Sequence, residues 1–118
     1  MNKGKKFSIL GGAILSLVLA APAVAETIRV KWYGPGYHGN LTANGETFNQ
    51  WAHTAAHPSW PFGTKVRVTN SKNGKSVVVR INDRSRYVLD VSRKAAIDLG
   101  IIKQGVADLN YQIIKWGN

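Results

Sequence analysis

Apolar and polar residues alternate along much of this chain, and the alternation predicts strands. Over Thr27–Tyr33, Ile28, Val30 and Trp32 fall on one face and Arg29, Lys31 and Tyr33 on the other. Lys65-Val-Arg-Val-Thr69 alternates again, Asn73-Gly74 signals a hairpin, and Ser76 to Ile81 is the β-branched return strand. The chain then releases Asn82-Asp83-Arg84 at that strand's end and returns through Leu89-Asp90-Val91. Ser92 is the right residue to cap a short helix, Arg93–Leu99, with Gly100 as its stop and Ala95, Ala96 and Leu99 as its apolar face. A last strand over about Val106–Trp116 places Leu109, Tyr111 and Ile113 together. Short strands without repeat or linker are most economically closed into a small, mostly antiparallel barrel, which removes exposed edges.

The first 25 residues are expected to be a secretory leader, removed after Ala25. Lys3, Lys5 and Lys6 precede an apolar run from Phe7 to Ala20, and Ala23-Val24-Ala25 supplies the small-x-small cleavage pattern. The run is short for a transmembrane helix, which needs roughly 20 residues. Residues 26–118 then form one domain. The chain has no cysteine, so an exported domain relies on packing alone and carries no lipid-modified cysteine as a membrane anchor. With three of the sixteen basic residues and none of the six acids in the leader, the remaining domain carries a formal charge of +7, which draws it to polyanions. For an exported chain these are anionic envelope polymers rather than nucleic acid. The bases are scattered singly, as on a solvated basic surface. The expected state is a monomer in the periplasm or outside the cell.

Several motifs lead nowhere. Gly34-Pro-Gly-Tyr-His-Gly39 matches a dinucleotide loop in letters, but no helix is signalled after it. His53 and His57 have zinc-helix spacing, yet Thr-Ala-Ala lies between them and Pro58 stops a helix. Neither a metal nor a cofactor is expected. No thiol, nucleophile elbow or phosphate loop is present. Of the six acids, Glu26, Asp98 and Asp108 are expected to be solvated. Glu46, Asp83 and Asp90 remain, with His57 as the titrating partner. Carboxylates near Trp32, Tyr33, Trp51 and Trp60 suit carbohydrate chemistry, in which an acid protonates a glycosidic oxygen and flat rings stack on sugars. Equally, Asp83 accepts hydrogen bonds from a turn and Asp90 organises the start of the helix on a purely structural reading.

WYGPGYHGNLTANGETFN, TAAHPSWPFGTKVRVTNSKNGKSVVVRINDR and LDVSRKAAIDLG, in this order, resemble the RlpA-type septal lytic transglycosylases. More broadly they resemble the double-psi β-barrel shared with expansins and barwin-like proteins. The resemblance covers Val30 to about Trp116. It implies a six-stranded double-psi β-barrel with one or two short helices and a groove for a glycan. It also implies a polar cluster of Glu46, His57 and Asp83, with Asp90 at the position of a second groove acid. The implied reaction is endolytic cleavage between N-acetylmuramic acid and N-acetylglucosamine without water, leaving 1,6-anhydro ends. Asp83 would be the acid, positioned and tuned by His57 and Glu46, while Trp32, Tyr33, Thr42, Trp51 and Arg84 hold the sugar chain. The alternative is an expansin-like module that binds or loosens the wall without cutting. The chain departs from the pattern in its short Asp83–Asp90 loop, which lacks Gly-Pro.

Overall fold

The computed structural model describes residues 26–118, so the expected leader lies outside the described residues. Six strands and one helix follow in order: β1 Glu26–Tyr33, β2 Thr54–Ala56, β3 Lys65–Asn70, β4 Lys75–Asp83, β5 Leu89–Ser92, α1 Arg93–Leu99 and β6 Val106–Lys115. The strands close a barrel in the order β1-β5-β2-β4-β3-β6, and β6 pairs back onto β1. The pairs β1–β5 and β2–β4 are parallel and the other four are antiparallel.

Period-2 alternation fills the barrel. Val66 and Val68 from β3, Val77, Val79 and Ile81 from β4, Leu89 and Val91 from β5, Val30 from β1 and Leu109 from β6 all point inward and are buried. Trp32 lies on this inward side of β1 and packs against the core, because it shares the phase of Val30. Asp108 falls inside β6. There it faces Arg29 across the β1–β6 ladder, with Nε 2.6 Å from Oδ1.

The helix has the caps its sequence asks for. Ser92 Oγ accepts from the Ala95 N–H at 3.3 Å, and Ala95, Ala96 and Leu99 are buried. Gly100 ends it in the left-handed region, φ +74°, while the Asn70 and Asn73 side-chain amides donate to the Leu99 carbonyl at 3.0 and 3.1 Å. The β3–β4 hairpin is thereby tied to the end of α1. A Cβ on Gly100 would sit 2.7 Å from Asn73 Nδ2. Gly100→Ala is therefore expected to combine left-handed strain with loss of that amide contact, destabilising the domain by about 1–2 kcal/mol. Thermal unfolding should show a Tm lower by roughly 5–10 °C.

Candidate active site

A β-bulge sets the site. Ala55 of β2 pairs with Ile81 of β4, but Ala56 pairs with Asp83, so Asn82 is the extra residue. The bulge turns Asp83 onto the outer side of the sheet with Ala56. On its other edge Ala56 pairs with Asp90 of β5, whose neighbours Leu89 and Val91 point into the core. One alanine, itself buried, thus separates the two aspartates along the sheet. Two strand spacings put their Cα atoms roughly 10 Å apart.

The two carboxylates live in different surroundings. Asp83 only accepts: Oδ1 takes the Ala43 and Arg84 backbone N–H groups, both at 2.9 Å, and Oδ2 takes the Tyr33 hydroxyl at 3.1 Å. Tyr33 is fixed by stacking on buried Phe48, ring centroids 4.6 Å apart, with the Tyr37 edge at 5.6 Å. Burial, and then the Asp83 and Asp90 charges, hold the Tyr33 phenol well above its ordinary pKa, so it remains a donor. Asp90 is half-buried, and its Oδ1 has no hydrogen-bond partner among the described residues. Burial pushes the Asp90 carboxyl above the ordinary aspartate range. Lys31 across the β1–β5 ladder opposes that rise and the Asp83 charge adds to it.

Glu46 and His57 do not join the Asp83 side chain. Glu46 belongs to the Thr42–Glu46 turn and accepts a fork from Arg80, Nη1 to Oε2 at 2.6 Å and Nη2 to Oε1 at 3.0 Å. Asn44 and Asn82 add side-chain amides at 2.9 and 3.1 Å. The Arg80 and Asn44 hydrogen bonds lower its pKa to about 2, so Glu46 is a fixed anion rather than a proton donor. It anchors the turn on β4, and that anchoring is what brings the Ala43 N–H to Asp83. Thr42 is buried and donates to Asn44 Oδ1 at 2.6 Å, inside the turn rather than on an open surface.

His57 follows β2 directly. Its Nδ1 accepts the Ser59 and Trp60 N–H groups at 3.1 and 3.0 Å, and its ring lies on Trp60 with centroids 3.7 Å apart. Burial, then the Arg84 charge, lowers its pKa to about 4. The ring is therefore neutral above that pH, with its proton on Nε2 as a donor. Its contact with Asp83 is through backbone, His57 N–H to Asp83 O at 3.2 Å. Arg84 holds the same loop, donating to the His57 and Trp60 carbonyls at 3.2 and 2.8 Å with its guanidinium over Phe62. Trp51 stands exposed beside Arg93 at the start of α1. Asp98 is paired rather than simply solvated: His53 Nε2 lies 2.7 Å and Lys94 Nζ 3.2 Å from it.

The residues that sequence reasoning missed are Arg80, Asn82 and Ala56. Arg80 and Asn82 flank core-facing Ile81, so alternation alone puts them on the groove side of β4.

His57 and Glu46 together predict the acid limb of stability. The fold holds both in their deprotonated forms, so their contributions are complete above the unfolded pKa values and are lost as pH falls through the folded ones. Destabilisation should begin below about pH 6.5 through His57 and continue below about 4.5 through Glu46. Tm measured against pH should show this, and His57→Gln should flatten the upper part of the fall.

A closed barrel with two parallel strand pairs, a capped helix and acids gathered on one outer groove defines the chain as a double-psi β-barrel domain. Residues 25–111 match the double-psi barrel family described as Lytic transglycolase, and the chain belongs to that family. It is 45% identical over 128 residues to the probable endolytic peptidoglycan transglycosylase RlpA of Synechocystis, covering 91% of this chain and 39% of that one. It is 41% identical over 118 residues to the endolytic peptidoglycan transglycosylase RlpA of Campylobacter jejuni, covering 97% and 42%. The chain thus spans about two fifths of the length of these curated relatives. Among solved structures, an expansin from Clavibacter michiganensis aligns with a TM-score of 0.63 at 21% identity, covering 80% of this chain and 52% of that one. That likeness shows the fold.

Proposed function

We propose that the domain is an endolytic lytic transglycosylase that cuts peptidoglycan glycan strands at the bacterial envelope, exported by the leader over residues 1–25. The observation that carries this reading is the unequal pair, Asp90 and Asp83, facing each other across Ala56 in a family whose curated relatives bear that activity in their names. Asp90, whose carboxyl burial pushes above the ordinary aspartate range, gives its proton to the glycosidic oxygen, and the bond to the muramic acid anomeric carbon breaks. Asp83, fixed by three donors, stabilises the positive charge that develops on the ring. The Asp90 carboxylate then takes the proton of the C6 hydroxyl as that oxygen closes on the anomeric carbon. The proton account balances with no water consumed, and Asp90 ends as it began. On this reading the acid is Asp90 rather than Asp83, because Asp83 has both oxygens occupied as acceptors. Glu46, Arg80 and Arg84 are positioning residues, and neutral His57 offers an Nε2–H donor. Tyr33 holds Asp83 rather than a sugar.

Incubation of the purified protein with peptidoglycan sacculi tests the reading. Soluble glycan fragments are expected. Protein that sediments with the sacculi while releasing no fragments would leave a binding module and overturn the enzyme.

A further inference from the structure

A row of cations crosses the outer face of the barrel beside the carboxylate pair. Lys65 of β3 is registered with Arg80 of β4 on one side and with Lys115 of β6 on the other. The second pairing depends on an irregularity. Val66 pairs with Ile113, so a regular ladder would set Ile114 opposite Lys65, but the register shifts and Lys115 stands there instead. Neighbouring strands lie about 4.8 Å apart, and like charges directly opposite destabilise a sheet. Only Arg80 has a counter-ion, Glu46; among the described residues no ion pair includes Lys65 or Lys115. The remaining acid nearby, Asp98, is engaged by His53 and Lys94. Two lysines without an ion-pair partner among the described residues are therefore registered on adjacent strands.

Lys65 and Arg80 line a cavity of about 220 Å³ together with His53, Val78 and Val79, and Lys115 is registered with Lys65 outside that lining. The cavity lies next to the groove. Arg80 is registered with Thr54 of β2, and Ala56, two residues further along β2, is registered with both Asp83 and Asp90. Two strand residues span about 7 Å. That is the scale of one sugar ring with a substituent. A saccharide whose glycosidic bond sits between the aspartates would send a side group toward Arg80 and Lys65.

We infer that Lys65, Arg80 and Lys115, with His53 at the cavity wall, form an anion subsite that receives a carboxylate carried by the muramic acid residue of the bound strand. The inference rests on the reading of the groove as a peptidoglycan site and gives it a specificity determinant. The carboxylate has two sources: the lactyl group itself when the peptide is absent, or the stem peptide when it is present.

The test is an amide chemical-shift titration of the ¹⁵N-labelled protein with monosaccharides. Having no bond to cut, they report binding independently of cleavage, so failure here is separate from failure of the enzyme reading. N-acetylmuramic acid is expected to shift the Lys65, Arg80 and Lys115 amides saturably, and N-acetylglucosamine, which lacks the carboxylate, is expected not to. Tighter binding of a muramyl dipeptide at the same amides would assign the anion to the stem peptide and still support the subsite. The double variant K65A/K115A, two exposed positions, should keep its amide dispersion and weaken N-acetylmuramic acid binding by about tenfold. Unchanged affinity in the double variant, or equal shifts with N-acetylglucosamine, would overturn it.

Discussion

Asp90→Asn is expected to reduce glycan cleavage by roughly 10²–10⁴-fold, the range for loss of a general acid and base. The amide keeps the shape of the side chain and its place between Lys31 and Ala56. It has no acidic proton to give to the leaving oxygen and cannot take one from the C6 hydroxyl. Burial of Asp90 without a partner for Oδ1 disfavours a charge there, so the substitution should leave the fold intact or slightly stabilise it. Activity measured beside thermal unfolding separates the two effects. A variant that cleaves at the wild-type rate would remove Asp90 from the chemistry.

Asp83→Asn is expected to cost roughly 10²-fold through loss of a preorganised charge opposite the developing cation. Its pH dependence carries more information than its rate. The Asp83 charge helps to raise the Asp90 pKa, so removing it lowers that pKa. Activity needs Asp90 protonated, and the alkaline limb of the rate profile should therefore move to lower pH in the residual activity. If Asp83 were itself the acid, as the motif order alone suggests, the residual activity would lose that limb rather than shift it. Pull-down on insoluble wall should be largely preserved in both variants, because neither removes a stacking ring or a cation.

Much of the barrel is legible in the sequence because the signals are local. Alternation marks β1, β3, β4 and β6, and Ser92 and Gly100 bracket α1 at the positions the caps occupy. Strand β2 is not legible. Thr54–Ala56 is too short to show a period, and its role comes from lying between β4 and β5 in a non-sequential order. The acids of the groove follow the same division. Asp90 stands out because Leu89 and Val91 flank it, and Asp83 because it ends a β-branched strand beside a loop. Partner choice is a tertiary matter: Arg80 takes Glu46 from 34 residues away, and two backbone amides fill the Nδ1 side of His57. Trp32 was legible as a core residue from its phase with Ile28 and Val30, a stronger signal than its chemical suitability for a sugar.

The short loop between Asp83 and Asp90 also has a physical account. Arg84 is drawn back onto the His57–Trp60 loop, and the Ser85 hydroxyl donates to the Val88 carbonyl, so the connection closes on itself. Tyr87 projects from it at 82% exposure, with Arg86 exposed beside it.

Mass spectrometry of peptidoglycan fragments produced in heavy-oxygen water tests the central claim most directly. Fragments ending in 1,6-anhydro-muramic acid, free of label, are expected from the wild type and absent with Asp90→Asn. Reducing ends carrying the heavy oxygen would mean that water attacks the anomeric carbon, and would contradict ring closure through a single proton-shuttling carboxyl.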